Sequence, residues 1–251
     1  MTVIATLKRR VRAVFRPETT RHRNCILPEK NLRFGGVHFL DDEAFLSAGE
    51  RDVRKLQQWC GLNAQSAVLD IGCGTGRLAI GLTSVLGAVR NYRGIDVNET
   101  AIDWCSRFIT PQHPAFHFHR INIRNERYNP QGQNISAEFR LPFEDASFDV
   151  IHLYSVFSHM RSADVRAYLQ EFRRLLTPAG FVFLTAFVET DVPDEQENPA
   201  DYRRQWKGAL HCVRFASSFF TRLVEEAHLR IVRHSHNSET DGQSAFVLQP
   251  H

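Results

Sequence analysis

The chain has 251 residues, 43% hydrophobic and 24% charged, which suits a packed globular core and excludes a disordered or fibrous chain. No run of about 18 apolar residues occurs, so no membrane-spanning helix is expected. Five scattered cysteines with no CxxC pair argue against a disulfide framework or zinc ribbon and for a reducing cytoplasm. Charge is uneven beneath the net +3: residues 1–40 hold nine Lys/Arg against two Asp/Glu, and the remainder holds 22 against 26.

The basic start, TLKRRVRAVFRPETTRHR, lacks the apolar run of a signal peptide. Residues 1–45 read as an extension or lid over bound ligands, and its functional alternative to a solvated tail is weak contact with a membrane surface or an anionic ligand. Next, Phe45, Val53, Leu56 and Trp59 fall on one helix face, with Asp52, Arg54 and Lys55 opposite. Asp41, Asp42 and Glu43 read as that helix's acidic first turn rather than a magnesium site. The strand AVLDIG then runs into glycines, and the helix RLAIGLTSVL is closed by Gly87. The strand NYRGID comes after it, then a helix capped by Asn98, the strand AFHFHRIN and a polar loop. His117 and His119 share a face of that strand without a third ligand at metal spacing, so no metal is expected. The strand FDVIHLYSVF comes next, then a helix through Val165, Leu169, Phe172 and Leu176 that stops at TPAG, and the strand FVFLTAFV. A polar excursion over about residues 189–210 reads as a lid. A helix (SSFFTRLVEEAHL) and two closely spaced strands (RIVRHSH, SAFVLQ) close the chain. Alternating strands and helices imply a doubly wound, Rossmann-like α/β domain over residues 46–251, with a seven-stranded, mostly parallel sheet and an antiparallel C-terminal hairpin.

The segment VLDIGCGTGRLAI is the most informative. Gly72 and Gly74 allow a sharp bend and close ligand approach, and Gly76 allows tight helix packing. The lysine of a P-loop is missing, and a dinucleotide fingerprint would need glycine where Arg77 stands. Asp70, two residues before the first glycine, suits a ligand ammonium better than a phosphate. Asp96 ends the next strand, about 20 residues on, where a carboxylate accepts from a ribose diol, and Val97 offers an apolar face to adenine. This points to S-adenosylmethionine; a glycine turn without a ligand is the alternative.

With these residues the chain resembles the class I S-adenosylmethionine-dependent methyltransferases over about residues 65–190. A closer resemblance, carried by FGGVHFL, NERYNPQG, LPFEDASFDV, SVFSHM and GQSAFVL, is to a bacterial subgroup linked with glycan and natural-product clusters. The sugar O-methyltransferases of mycobacterial methylmannose polysaccharide synthesis are similar. The resemblance implies a cofactor site of Asp70, Gly72, Gly74, Asp96, Val97, Asn122 and Ile123. Asn122 stands where the family usually has aspartate accepting from the adenine amino group; an amide oxygen accepts as well. Ser244, after Gln243, also stands where the subgroup usually has aspartate. His159 in SVFSHM is the candidate general base, because histidine titrates near neutral pH and the end of this strand faces the expected methyl. Its structural alternative is a hydrogen bond to a backbone carbonyl, and Glu171 reads as an ion-pair partner rather than as its orienter. The expected reaction is O-methylation of a sugar or glycan. An N- or O-methyltransferase acting on a lipid or secondary metabolite, or an inactive cofactor-binding protein, is the alternative. The acceptor is thus a carbohydrate or small molecule, and no RNA motif accompanies the basic arm.

Overall fold

The computed structural model describes residues 18–202 and 205–251. The basic arm up to residue 17 lies outside them. The next segment is attached to the body: β1 (Thr19–His22) and β2 (Cys25–Pro28) form an antiparallel hairpin. The Glu18 carbonyl accepts from Trp104 Nε1 at 2.8 Å, and the Leu32 carbonyl accepts from Thr75 Oγ1 at 3.2 Å. Residues 18–40 therefore cross the body as a strap.

Helix α1 (Asp42–Cys60) begins where Asp41 accepts from the Ala44 amide at 2.8 Å. The acidic turn behaves as a cap: Asp42 pairs with buried Arg33 at 2.6 Å, and Glu43 pairs with His22 and Arg23. Asp52, expected on the wet face, is instead buried and paired at 2.9 Å with Arg77. The reason is the neighbouring helix. Helix α2 (Arg77–Leu86) crosses α1 with backbones almost touching: a Cβ on Gly49 would lie 2.4 Å from the Arg77 carbonyl oxygen. The α1 flank bearing Asp52 therefore faces a second helix.

The remaining elements are β3 (Ala67–Ile71), β4 (Asn91–Asp96), α3 (Glu99–Phe108), β5 (Phe116–Arg120), β6 (Phe148–Leu153), α4 (Ser162–Leu175), β7 (Leu176–Glu189), β8 (Glu195–Glu197), β9 (Val213–Ala216), α5 (Ser217–Glu226), β10 (Leu229–Ser235) and β11 (Ser244–Pro250). The sheet runs β10-β11-β7-β6-β3-β4-β5. The five strands from β7 to β5 are parallel, and β11 is antiparallel to both β7 and β10. The expected seven strands and C-terminal hairpin are both present, and β8 and β9 extend the sheet to nine strands. Every residue of β3 is buried, as a central strand covered on both faces requires. Leu69 and Ile71 face a core shared with α4 and α5, and Val68 faces one shared with α1, α2 and α3.

Two elements differ from the sequence reading. TPAG does not end in a loop: α4 stops at Leu175 and β7 starts at once, with a register shift opposite Phe148 and Val150. The excursion after residue 189 is also not wholly irregular. Its short β8 pairs with β9, which itself pairs with the end of β7. Among the described residues no helix is long and apolar enough to cross a membrane.

Candidate active site

The glycine loop leaves the C-terminal end of β3. The Gly72 and Cys73 amides both donate to the Ile95 carbonyl, at 2.8 and 3.0 Å, which folds the loop back over β4. A Cβ on Gly72 would lie 2.6 Å from Val156 Cγ2, so this glycine is required by packing against the turn after β6. Gly74 is different. It has φ +51°, and the nearest obstacle to a Cβ is Phe34 of the strap at 3.5 Å, so its outer side is open. Its amide donates to Asp96 Oδ2 at 2.8 Å, and its carbonyl accepts from the Cys73 and Cys105 thiols.

Asp96 closes β4, with Oδ2 accepting from the Gly74 amide and Oδ1 from the Asn98 amide, each at 2.8 Å. Burial raises its carboxyl above the usual range, while these amides hold the ionised form. Each carboxylate oxygen keeps a lone pair for a diol. Val97 comes next, half-buried, at the edge of the loop.

Asp70 does not face the loop opening. It is buried, and its oxygens accept from Tyr92 Oη at 2.6 Å and from His152 Nδ1 at 2.8 Å. Its charge lies beneath the glycine loop, clamped across β4, β3 and β6. Any influence on a bound ammonium acts through the loop.

Past β5, Asn122 and Ile123 line a cavity of about 270 Å³ with Ser136, Phe139, Leu141 and Pro142. The Asn122 side-chain oxygen accepts from Asn129 Nδ2 at 3.2 Å, and the same Nδ2 reaches the Ile123 carbonyl at 2.9 Å. Glu171 accepts from the Leu141 amide at 2.7 Å and pairs with Arg174 at 2.5 Å, so it is an ion-pair partner that anchors this wall. His117 and His119 are exposed on β5, as a polar strand face predicts.

His159 stands in the turn after β6. That turn is held under strain: Ser155 has φ +59°, with its amide donating to Thr185 Oγ1 at 2.8 Å and its hydroxyl accepting from Gln243 Nε2 at 2.8 Å. His159 Nδ1 lies 2.9 Å from the Leu210 carbonyl, which only accepts. The proton of the neutral ring is therefore on Nδ1, and Nε2 carries the lone pair. Asn125 Nδ2 donates to the His159 carbonyl at 2.8 Å, and the half-exposed Tyr128 ring meets the imidazole edge-on at 5.3 Å. Burial pulls the imidazole down to about 4, so it is neutral at pH 7. The structure thus realises the carbonyl bond and leaves the lone pair on Nε2.

The sequence reading did not single out Arg77, which opens α2 behind the glycine loop and meets the Tyr154 ring, or Thr185 and Gln243 behind the His159 turn. GTGR is a visible signal for Arg77. Nothing local marks Gln243, which acts on a residue more than eighty positions earlier.

Residues 69–184 match the family model of a methyltransferase domain. Demethylmenaquinone methyltransferase of Lactobacillus johnsonii is 30% identical over 132 residues, covering 53% of this chain and 47% of that protein. Phthiotriol/phenolphthiotriol dimycocerosates methyltransferase 1 of Mycobacterium ulcerans is 32% identical over 126 residues, covering 47% and 36%. The chain thus spans less than half the length of these curated relatives. Magnesium protoporphyrin IX methyltransferase from Synechocystis, solved with bound S-adenosylhomocysteine, shares the fold with a TM-score of 0.55 at 13% identity, over 87% of this chain and 90% of that one. Residues 69–184 thus match a methyltransferase domain, and the solved structures that share the fold include S-adenosylmethionine-dependent methyltransferases. These two curated relatives are named for a quinone and a lipid, and neither for a sugar.

Proposed function

We propose that the protein transfers a methyl group from S-adenosylmethionine to a hydroxyl of a sugar, a glycan or another small polyhydroxylated molecule, with His159 as the general base. The observation that carries this reading is the His159 tautomer, fixed by the Leu210 carbonyl so that the lone pair lies on Nε2. The open outer face of Gly74 and the remaining lone pairs of Asp96 fit the cofactor's ribose. Val97, Asn122, Ile123 and the cavity beside them fit its adenine.

When bound, the cofactor supplies a sulfonium methyl that is already activated by charge. The protein's work is alignment, exclusion of water and removal of the acceptor proton. The loop hydrogen bonds fix the donor side before binding. Nε2 takes the acceptor proton, and the Leu210 carbonyl holds the resulting imidazolium through Nδ1–H. Tyr128, half-exposed against His159, supplies an amphipathic ring of the kind that stacks on a sugar face. The segment from residue 189 to 210, which brings Leu210 onto His159, closes over the acceptor. Five cysteines and no disulfide support the cytoplasm as its place of work.

A lipid or secondary-metabolite hydroxyl is the second reading, favoured by relatives named for demethylmenaquinone and phthiotriol dimycocerosates. Release of S-adenosylhomocysteine from a panel of free sugars, oligosaccharides, quinols and phenolic lipids separates the two. Turnover confined to the lipid panel rejects the sugar reading. Cofactor binding without turnover on any acceptor, in a chain also inert to S-adenosylmethionine itself, marks an inactive binder.

A further inference from the structure

We propose that Arg127 binds an oxyanion carried by the acceptor, a carboxylate or a phosphate, and that the protein thereby selects acidic sugars over neutral ones. The inference rests on the acceptor reading given above and narrows it to a substrate class.

Arg127 lies in the polar loop between β5 and β6, at the tip of a turn that NERYNP folds tightly. Asn125 Oδ1 accepts from the amides of Arg127 and Tyr128, at 3.0 and 3.1 Å. The Asn125 and Asn129 backbones close the turn with bonds of 3.1 and 2.8 Å. Asn125 also donates through Nδ2 to the His159 carbonyl at 2.8 Å, so one side chain shapes the turn and fastens it to the base. The guanidinium lies 5.5 Å from the Tyr128 ring centroid, and that ring lies 5.3 Å from the imidazole. Both groups flank one ring. An anion on the methylated sugar, or on the residue next to it, therefore reaches Arg127 while the hydroxyl meets Nε2.

This cation is short of partners. Its hydrogen bond to protein is a long one, from Nη1 to the Lys207 carbonyl at 3.3 Å. Nε is buried without an acceptor, and among the described residues no carboxylate pairs with Arg127. The nearby acids are spent: Glu126 and Glu197 are held by Arg161, at 2.9 and 2.8 Å. A half-buried guanidinium with an orphaned donor is costly until an anion meets it. Nε and Nη2 form the edge that grips a carboxylate or phosphate in two parallel bonds. The segment 189–210 bridges both groups, its Lys207 carbonyl to Arg127 and its Leu210 carbonyl to His159.

The charge bears on proton transfer as well. Burial is the main cause that pulls the imidazole down, and the Arg127 cation acts in the same direction. A guanidinium without an anion therefore opposes the imidazolium that forms when the acceptor proton moves to Nε2. An oxyanion bound at Arg127 cancels much of that opposition, so an acidic acceptor strengthens the base that deprotonates it. A neutral sugar leaves the opposition in place.

The test measures S-adenosylhomocysteine release by the full chain on glucose, mannose and galactose oligomers, and on the same oligomers bearing uronate carboxylates or phosphate monoesters. Wild-type kcat/KM is expected to favour an acidic oligomer over its neutral counterpart roughly 10- to 100-fold, the range for a hydrogen bond to a charged group. The better of the two acidic series identifies the oxyanion. Arg127→Gln is expected to bring the ratio close to one, and Arg127→Lys to leave it in between. No acidic preference in the wild type overturns the inference, as does a preference that Arg127→Gln keeps. A kept preference with all rates lowered by a common factor assigns Arg127 to holding the turn and Lys207 instead. Turnover absent on every sugar, neutral or acidic, overturns the acceptor reading itself, so the two failures are distinguishable.

Discussion

The donor side of the site rests on strand ends, whereas the acceptor side rests on loops that hold one another. Asp96 and the glycine loop are tied to β3 and β4 by backbone amides, and Asp70 is clamped between neighbouring strands. His159, by contrast, depends on Leu210 from one loop, Asn125 and Tyr128 from another, and a strained Ser155 pinned by Gln243. A rigid sheet edge suits a donor that is always the same molecule. Mutually supported loops suit an acceptor that differs between relatives.

The comparison breaks most visibly at Gly74. Gly74→Val places a branched side chain at a positive φ and across the open face leading to Asp96, and is expected to abolish S-adenosylhomocysteine binding in calorimetry. Retained affinity would show that the donor does not pass that face. On the other side, His159→Ala is expected to lower turnover ~10²–10⁴-fold with cofactor affinity unchanged. His159→Asn should not rescue it, since an amide accepts no proton at neutral pH. Near-full turnover in both variants would make His159 structural. Asp96→Ala sharpens the donor side, with a loss of about 1.5–3 kcal/mol in cofactor binding; an unchanged titration removes Asp96 from the site.

Stability against pH separates the two sides as well. The folded chain holds His159 near 4, against about 6.5 when unfolded. Between these values the unfolded chain binds more protons, so this group makes native stability fall as pH drops from 6.5 towards 4. His159→Gln is expected to remove that part of the acid sensitivity, at most about 3 kcal/mol. Equal shifts in melting temperature between pH 7 and 4.5 for wild type and variant would contradict it. The smallest effect is dynamic: the segment 189–210 gains hydrogen-exchange protection when S-adenosylhomocysteine and acceptor are both present. Protection that never changes there rejects closure.

The donor side is the more legible in the sequence because its signals are local. Asn98 caps α3 by accepting from the Ala101 amide at 3.0 Å, Gly87 ends α2, and Asp96 ends its strand, as the letters suggest. Asp52 leaves its expected wet face because its partner Arg77 comes alongside through the close crossing at Gly49 and Gly81. Asp70 stands in the expected place but with a different outlook, since Tyr92 and His152 reach it through sheet pairing that no periodicity reveals. The three residues of β8 are Glu, Gln and Glu, with no apolar alternation to announce a strand. Gln243 looks like an ordinary polar residue until the fold brings it to Thr185 at 2.7 Å.

Gln243 also sets an order of assembly. A ribosome delivers the chain from its N-terminal end, and segments fold as they become available. The glycine loop, Asp96 and Ile123 emerge with the first half, and His159 and Leu210 come later. Thr185 reaches the left-handed turn at Ser155 with β7, and the bracing is complete only once Gln243 has been made and β11 has paired beside β7. A growing chain therefore acquires the elements of the proposed donor pocket well before it can hold the proposed base, His159, fully in place.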